Sequence, residues 1–215
     1  IKFWTAALLA VFFVLVGAVV EGGAGIETLK GLTQLSLEQA VVCSVAAALT
    51  VTAMTVLALP VSTSQAVVGG IIGIGFLNRQ INLEGLEKVV LCWLGTPLGG
   101  AVFAVIVYKV LAFIYNRVPL SLIQADGLIR FLLVAASSYG AYTLGANNVA
   151  NVTAVFVGAG KLDVFSATLV GGLSIGLGIV TFSHRVIVTI GRRLIKVDAF
   201  SALVVVLAEA FTVHA

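Results

Sequence analysis

Charge is scarce in this chain: Asp, Glu, Lys and Arg make up only 10% of its 215 residues, where soluble domains carry about a quarter. A soluble core could not hide the apolar surface that remains. Histidine and cysteine are scarcer still, at two each, and no nucleophile stands beside a base, which argues against an enzyme and against a resident metal. Cys43 and Cys92 fall in apolar runs and read as small buried hydrophobes. Alternation at period two is missing, so a membrane barrel is excluded and helices are expected. The net charge of +3 and pI near 9.0 form no nucleic-acid patch.

What the chain has in quantity is hydrocarbon. Hydrophobic residues reach 60% and the mean hydropathy is +1.19. Segments able to cross roughly 30 Å of bilayer, which takes about 20 helical residues, are read at 3–20, 38–59, 60–77, 89–115, 128–160, 164–182 and 199–215. The segment 60–77 is short for a span and has a re-entrant hairpin as its alternative.

Two polar islands interrupt this background. Gly145-Ala146-Asn147-Asn148-Val149-Ala150-Asn151 is rich in amides, and Pro60-Val61-Ser62-Thr63-Ser64-Gln65 offers hydroxyls at the start of an apolar run. Pro60 suits a helix start. Ser62, Thr63, Ser64 and Gln65 then bring hydroxyls, unpaired N–H groups and the positive end of a helix dipole to one point, a neutral cradle for a small oxyanion. Capping of the helix by the serines is the plainer reading of the same residues. Gly145 is expected to let the backbone unwind, and Asn147, Asn148 and Asn151 to offer carbonyl oxygens to a cation or amide donors to the anion. Hydrogen bonding between helices is the plainer reading here. Glu209, inside the last apolar run, is an ion or proton site candidate, or else a neutral acid bonded to a neighbouring helix. Thr153 and Ser174 are weaker candidates to approach the anion.

A shift of 161 residues lays Phe3-Trp4-Thr5-Ala6 over Val164-Phe165-Ser166-Ala167, Gly17 over Gly178, Ile26 over Ile187 and Thr28 over Thr189. The shift describes an internal repeat. Its missing partners suggest the central part of a longer protein. The connector 183–198, which includes His184, carries Arg185, Arg192, Arg193 and Lys196, while its mate 21–37 carries Lys30 against Glu21 and Glu27. Opposite charge bias puts equivalent loops on opposite sides, the basic one inside, as in an inverted repeat.

These residues resemble the signatures of the inorganic phosphate transporter (PiT) family. The heptad at 145–151 is similar to its G-A-N-D-V-A-N motif and Leu59 to Gly69 to its L-P-V-S-T-T-H-A-I-V-G motif. Gly171 to Gly178 with Arg185 to Gly191 resembles the stretch that follows the second asparagine signature. The resemblance implies phosphate as substrate and a sodium or proton gradient as the driving force. Asn148 stands where the signature has Asp, and Gln65 where it has His.

The expectation is therefore an all-α polytopic membrane protein, an inverted-repeat transporter with discontinuous helices or re-entrant hairpins. Its parts are the remainder of a first repeat with a connecting helix (1–115), a central cytoplasmic connector (116–127) and the first part of a second repeat (128–215). Alternating access would carry inorganic phosphate; sulfate or another tetrahedral oxyanion, and a passive anion channel, are the alternatives. The expected surroundings are membrane lipid, in the plasma membrane, without nucleic acid or cofactor and with no metal beyond transported sodium. A homodimer is among the arrangements open to it.

Overall fold

The computed structural model describes residues 2–32, 34–57, 59, 61–119, 121–193 and 198–214, with backbone only at 122 and 184–193. Pro60 and Lys196 lie outside the described residues, as do the side chains of His184, Arg185, Arg192 and Arg193. Among the described residues seven helices follow one another: α1 (Phe3–Lys30), α2 (Leu37–Val56), α3 (Thr63–Asn78), α4 (Leu83–Arg117), α5 (Leu122–Gly158), α6 (Val164–Arg193) and α7 (Ala199–His214). No strand occurs among the described residues.

Local chemistry starts these helices. The first N–H groups of a helix have no partner inside it, and a short polar side chain can accept from them. Ser36 and Gln39 form a reciprocal capping box at α2. Ser121 and Gln124 do the same at α5. Ser62 accepts from the Gln65 amide at α3 and Asn82 from the Gly85 amide at α4. Asp163 caps α6 through Ser166, and Asp198 caps α7 through Ser201. Hydrogen bonds to these amides hold both carboxyls below the usual carboxylate range.

Among the described residues five helices are long and apolar enough to cross a membrane: α1, α2, α4, α5 from Ile123 and α6 up to Ser183. α1 and α6 run well past the expected ends of 20 and 182. Much of the expected 21–37 connector is therefore helix, because Gly22, Gly23 and Gly25 sit inside a regular α1 rather than breaking it. Between α4 and α5 only 118–121 separate the helices, inside the expected connector 116–127.

The chain divides into two compact units that do not follow its linear order. The first comprises Ile1–Gly17, Cys92–Leu144 and Ile175–Ala215, and the second Ala18–Leu91 and Gly145–Ser174. In the first unit, rings pack α7 onto α4 and α5: Tyr108 meets Phe200, Phe103 meets Phe211, and Tyr139 meets both Phe211 and His214. α4 leaves Leu94, Leu98, Val102 and Phe113 exposed, a surface that suits lipid. Cys92 on the same helix is exposed, against expectation, whereas Cys43 is buried and its thiol lies 3.7 Å from the Val67 carbonyl oxygen.

The second unit is built on close contact between small residues. A Cβ on Gly22 would overlap the Val149 side chain, one on Gly25 would come within 3.2 Å of the Ala150 Cβ, and one on Gly158 within 3.5 Å of the Lys30 Cβ. α1 and α5 thus run parallel here. Gly22 also faces Thr168 and Gly23 faces Val164, so residue numbers rise along α1 as they fall along α6. The repeat mates are antiparallel.

α2 and α3 form a hairpin whose crossing is as tight: a Cβ on Gly70 would lie 2.7 Å from the Cys43 sulfur. Gln39 and Asn78 tie its open end by exchanging amide hydrogen bonds of 3.1 and 3.3 Å. The Asn82 side chain donates to the Gly31 carbonyl at 3.1 Å and its amide to the Leu32 carbonyl at 2.9 Å. The α1–α2 and α3–α4 connections therefore lie on the same side. With 16 residues, α3 is about 24 Å long, short of the roughly 30 Å of hydrocarbon. α2 runs to Val56 and α3 starts back from Thr63.

Candidate functional site

Both polar islands belong to the second unit. Asn151 Nδ2 donates to Ser64 Oγ at 3.0 Å and to Asn148 Oδ1 at 3.1 Å. One amide from α5 thus joins the hydroxyl island to the asparagine island, across 87 positions of sequence. All three side chains are partly buried.

The geometry explains the choice among the amides. Asn148 and Asn151 are three apart, so in an α-helix they share a face, and that face looks toward the start of α3. Asn147 falls on another face and is exposed; its carbonyl oxygen lies 3.8 Å from where a Gly25 Cβ would be. α5 is regular helix from Leu122 through Gly158, so the expected unwinding at Gly145 does not occur. Gly145 is buried, and its flanking Leu144 and Ala146 are good helix formers. The interruption of regular helix in this unit lies instead in the α2–α3 hairpin.

The hairpin presents its polar groups at the head of α3. Ser62 is the N-cap residue, so the plainer capping reading applies to it, and Ser62 remains exposed. The Thr63 and Gln65 side chains are exposed as well. Ser64 Oγ accepts from Asn151, which leaves its own proton to donate elsewhere. Next to that hydroxyl stand the amides of Thr63 and Ser64, which belong to the first turn, where a helix has no acceptor of its own. The arrangement offers hydroxyl and amide donors with a favourable helix end and no formal charge, a setting suited to a small oxyanion.

Other candidates lie apart from this cluster. Thr153 donates to the Val149 carbonyl at 3.0 Å and Ser174 to the Val170 carbonyl at 2.8 Å; both hydroxyls serve their own helices. Glu209 belongs to the first unit, on α7, with an exposed side chain. His214, near the end of α7, meets the stacked rings of Tyr139 and Tyr142 at a tilt, at centroid distances of 5.8 and 6.5 Å. Among the described residues no group of three or more metal-ligating side chains occurs. Sequence reading passed over Gln39, Asn78 and Asn82, which fasten the hairpin. Their one signal is polarity at the ends of apolar runs, which many solvated loop residues share.

The second unit thus joins apolar helices to an uncharged cluster of donors at the head of α3. The family model for the phosphate transporter family matches residues 1–215, and the chain belongs to that family. It is 30% identical over 195 residues to the sulfate permease CysP of Bacillus subtilis, covering 89% of this chain and 54% of that protein. A candidate phosphate permease of Methanocaldococcus jannaschii is 32% identical over 112 residues, covering 51% of this chain and 35% of that one. The chain thus spans about half, or less, of the length of these curated relatives. A solved structure, the sodium-dependent phosphate transporter, superposes with a TM-score of 0.85 over 99% of this chain and 75% of that one at 20% identity, which shows a shared fold.

Proposed function

We propose that the protein acts in secondary active transport of inorganic phosphate across the plasma membrane, coupled to a sodium or proton gradient by alternating access. The observation that carries this reading is the Asn151 bridge from α5 to Ser64 at the head of α3. It makes one site of two elements that are far apart in sequence. In this reading Ser62, Thr63, Ser64 and Gln65 supply donors to the oxyanion, and oxygens around Asn147, Asn148 and Asn151 face the cation. A neutral cradle also suits turnover, since several fixed cations would hold a multiply charged anion too firmly. Antiparallel repeat mates supply the two-fold relation on which alternating access relies. Glu209 is a second, separate ion or proton site, and the protein works as a homodimer in lipid.

Sulfate is the second reading, and two observations favour it. The relative matched over 89% of this chain is a sulfate permease, and the site's Asn148 and Gln65 are uncharged. Phosphate near neutral pH carries a proton that a carboxylate can accept; sulfate carries none and asks only for donors. The test is uptake of radiolabelled phosphate by liposomes holding the full-length protein, with sodium and proton gradients imposed separately and unlabelled sulfate as competitor. Gradient-driven phosphate uptake supports the first reading. Uptake of sulfate alone selects the second, and flux that needs no gradient indicates an anion channel.

A further inference from the structure

One side of α3 is polar at both ends and apolar between them. Ser64, Val67, Ile71, Ile74 and Asn78 follow one another at steps of three or four, so they share a face of the helix. The apolar members of this row are buried and its polar ends are partly buried. Each end finds its partner on a different helix. Ser64 accepts from Asn151 of α5, and Asn78 exchanges two amide hydrogen bonds with Gln39 of α2.

The middle of the row holds α3 close to α2 without fixing its rotation. Gly70 sits against Cys43 there, and contact between apolar surfaces is non-directional. On the opposite side of α3, an added Cβ at Gly69 or Gly73 would meet nothing within 4 Å, so at those positions no knob stops a turn. An amide left unpaired away from water costs free energy, and the Gln39 to Asn78 pair therefore selects one rotation. Gln39 is itself held in place, because its Oε1 also accepts from the Ser36 amide at 3.0 Å in the capping box of α2.

A turn at one end of a helix is a turn at the other. α3 is continuous from Thr63 to Asn78, and Ser64 lies about 21 Å from Asn78 along it at about 1.5 Å per residue. A rotation of about 20° carries a hydroxyl that stands about 5 Å from the axis through about 1.7 Å. The 3.0 Å bond from Asn151 to Ser64 cannot absorb that much.

We infer that Gln39 and Asn78 are positioning residues of the anion site: their paired amides set the rotation of α3 that brings Ser64 to Asn151. The assignment rests on the carrier reading above. Without the pair, α3 samples several rotations, and only a fraction of the molecules present Ser64 and the first amides of α3 together. The apparent affinity for the anion falls by that fraction. Saturating anion draws the helix back to the competent rotation, so the maximum rate is kept.

The test uses the full-length protein in liposomes under an imposed sodium or proton gradient, with initial rates of radiolabelled phosphate and sulfate uptake measured against anion concentration and expressed per folded protein. Asn78→Ala is expected to raise the half-saturation for the transported anion about fivefold while the maximum rate stays within about twofold of the parent. Gln39→Leu should do the same, and the double variant should be no worse than either single one, because each breaks the same pair. Gln39→Glu keeps the oxygen that accepts from Ser36 and Asn78 and should recover most of the affinity. Phe211→Ala, in the other unit, is the control: it should lower the unfolding temperature and leave the half-saturation alone. A half-saturation unchanged in Asn78→Ala, or raised as much by Phe211→Ala, overturns the assignment. If Asn78→Ala does not fold, Gln39→Leu decides in the same way. A parent protein that moves neither anion overturns the carrier reading, and this assignment with it.

Discussion

The two units solve the same problem with different side chains. Apolar helices gain little from the hydrophobic effect against lipid, so they associate through packing and hydrogen bonds. The first unit uses rings: Phe103, Tyr108, Tyr139, Phe200 and Phe211 lock α7 against α4 and α5. The second uses glycine contacts and amides: Gly22 on Val149, Gly70 on Cys43, Gln39 with Asn78 and Asn151 with Ser64. Ring contacts tolerate sliding, whereas amide pairs hold one register. The unit that holds the Ser64–Asn151 cluster is thus the one whose alignment is set by directional bonds.

The comparison breaks most completely at Asn151. Asn151→Leu removes both of its donated bonds and leaves Ser64 facing an apolar chain, so gradient-driven uptake should fall by about tenfold or more, as expected for a loss near 1.4 kcal/mol or above. Helical circular dichroism of the same sample should be unchanged. Gly22→Leu comes next. Its side chain must displace Val149, and overpacking of this kind costs roughly 1–3 kcal/mol, read as a lower unfolding temperature in detergent. Gly69→Ala, where an added Cβ meets nothing within 4 Å, is the matched control and should be neutral or slightly stabilising.

A finer contrast sets Gln39→Ala against Phe211→Ala. Loss of the paired amides should cost about 1 kcal/mol and raise hydrogen exchange at the open end of the hairpin, around 36–39 and 78–82. Loss of the ring should instead loosen α7 alone. Equal exchange changes in both places would show that the units are not separately held.

The smallest effect is at the caps. Asp163 and Asp198 have carboxyls held low by the Ser166 and Ser201 amides. A lowered folded value means that the stabilisation is present above the unfolded carboxylate pKa of about 4 and is lost as pH falls through the folded one. Protection from exchange at the first turn of α6, taken relative to the intrinsic rate at each pH, should therefore fall on acidification. Asp163→Asn, which still caps but does not titrate, should remove that fall.

Much of this was legible before the fold. Runs of about 20 apolar residues told of helices in a bilayer, since backbone polar groups have no other partners there. The two islands stood out because polar groups at depth are expensive. The antiparallel mates α1 and α6 were anticipated by the opposite charge of their connectors. Helix ends were harder: Gly22, Gly23 and Gly25 suggest a break in isolation, yet they are the means by which α1 meets α5 and α6. Serine, aspartate and asparagine three residues before the first free amides, at 36, 62, 82, 121, 163 and 198, were the available signal for the true starts.

By itself, then, the sequence determined the solvent, the helical class and which residues were too polar to be there without a reason, because those follow from transfer free energies along the chain. Tertiary structure decided which polar residues meet. Asn151 reaches Ser64 while Asn147 does not, because helix register and the approach allowed by glycine depend on contacts between segments that no local pattern records.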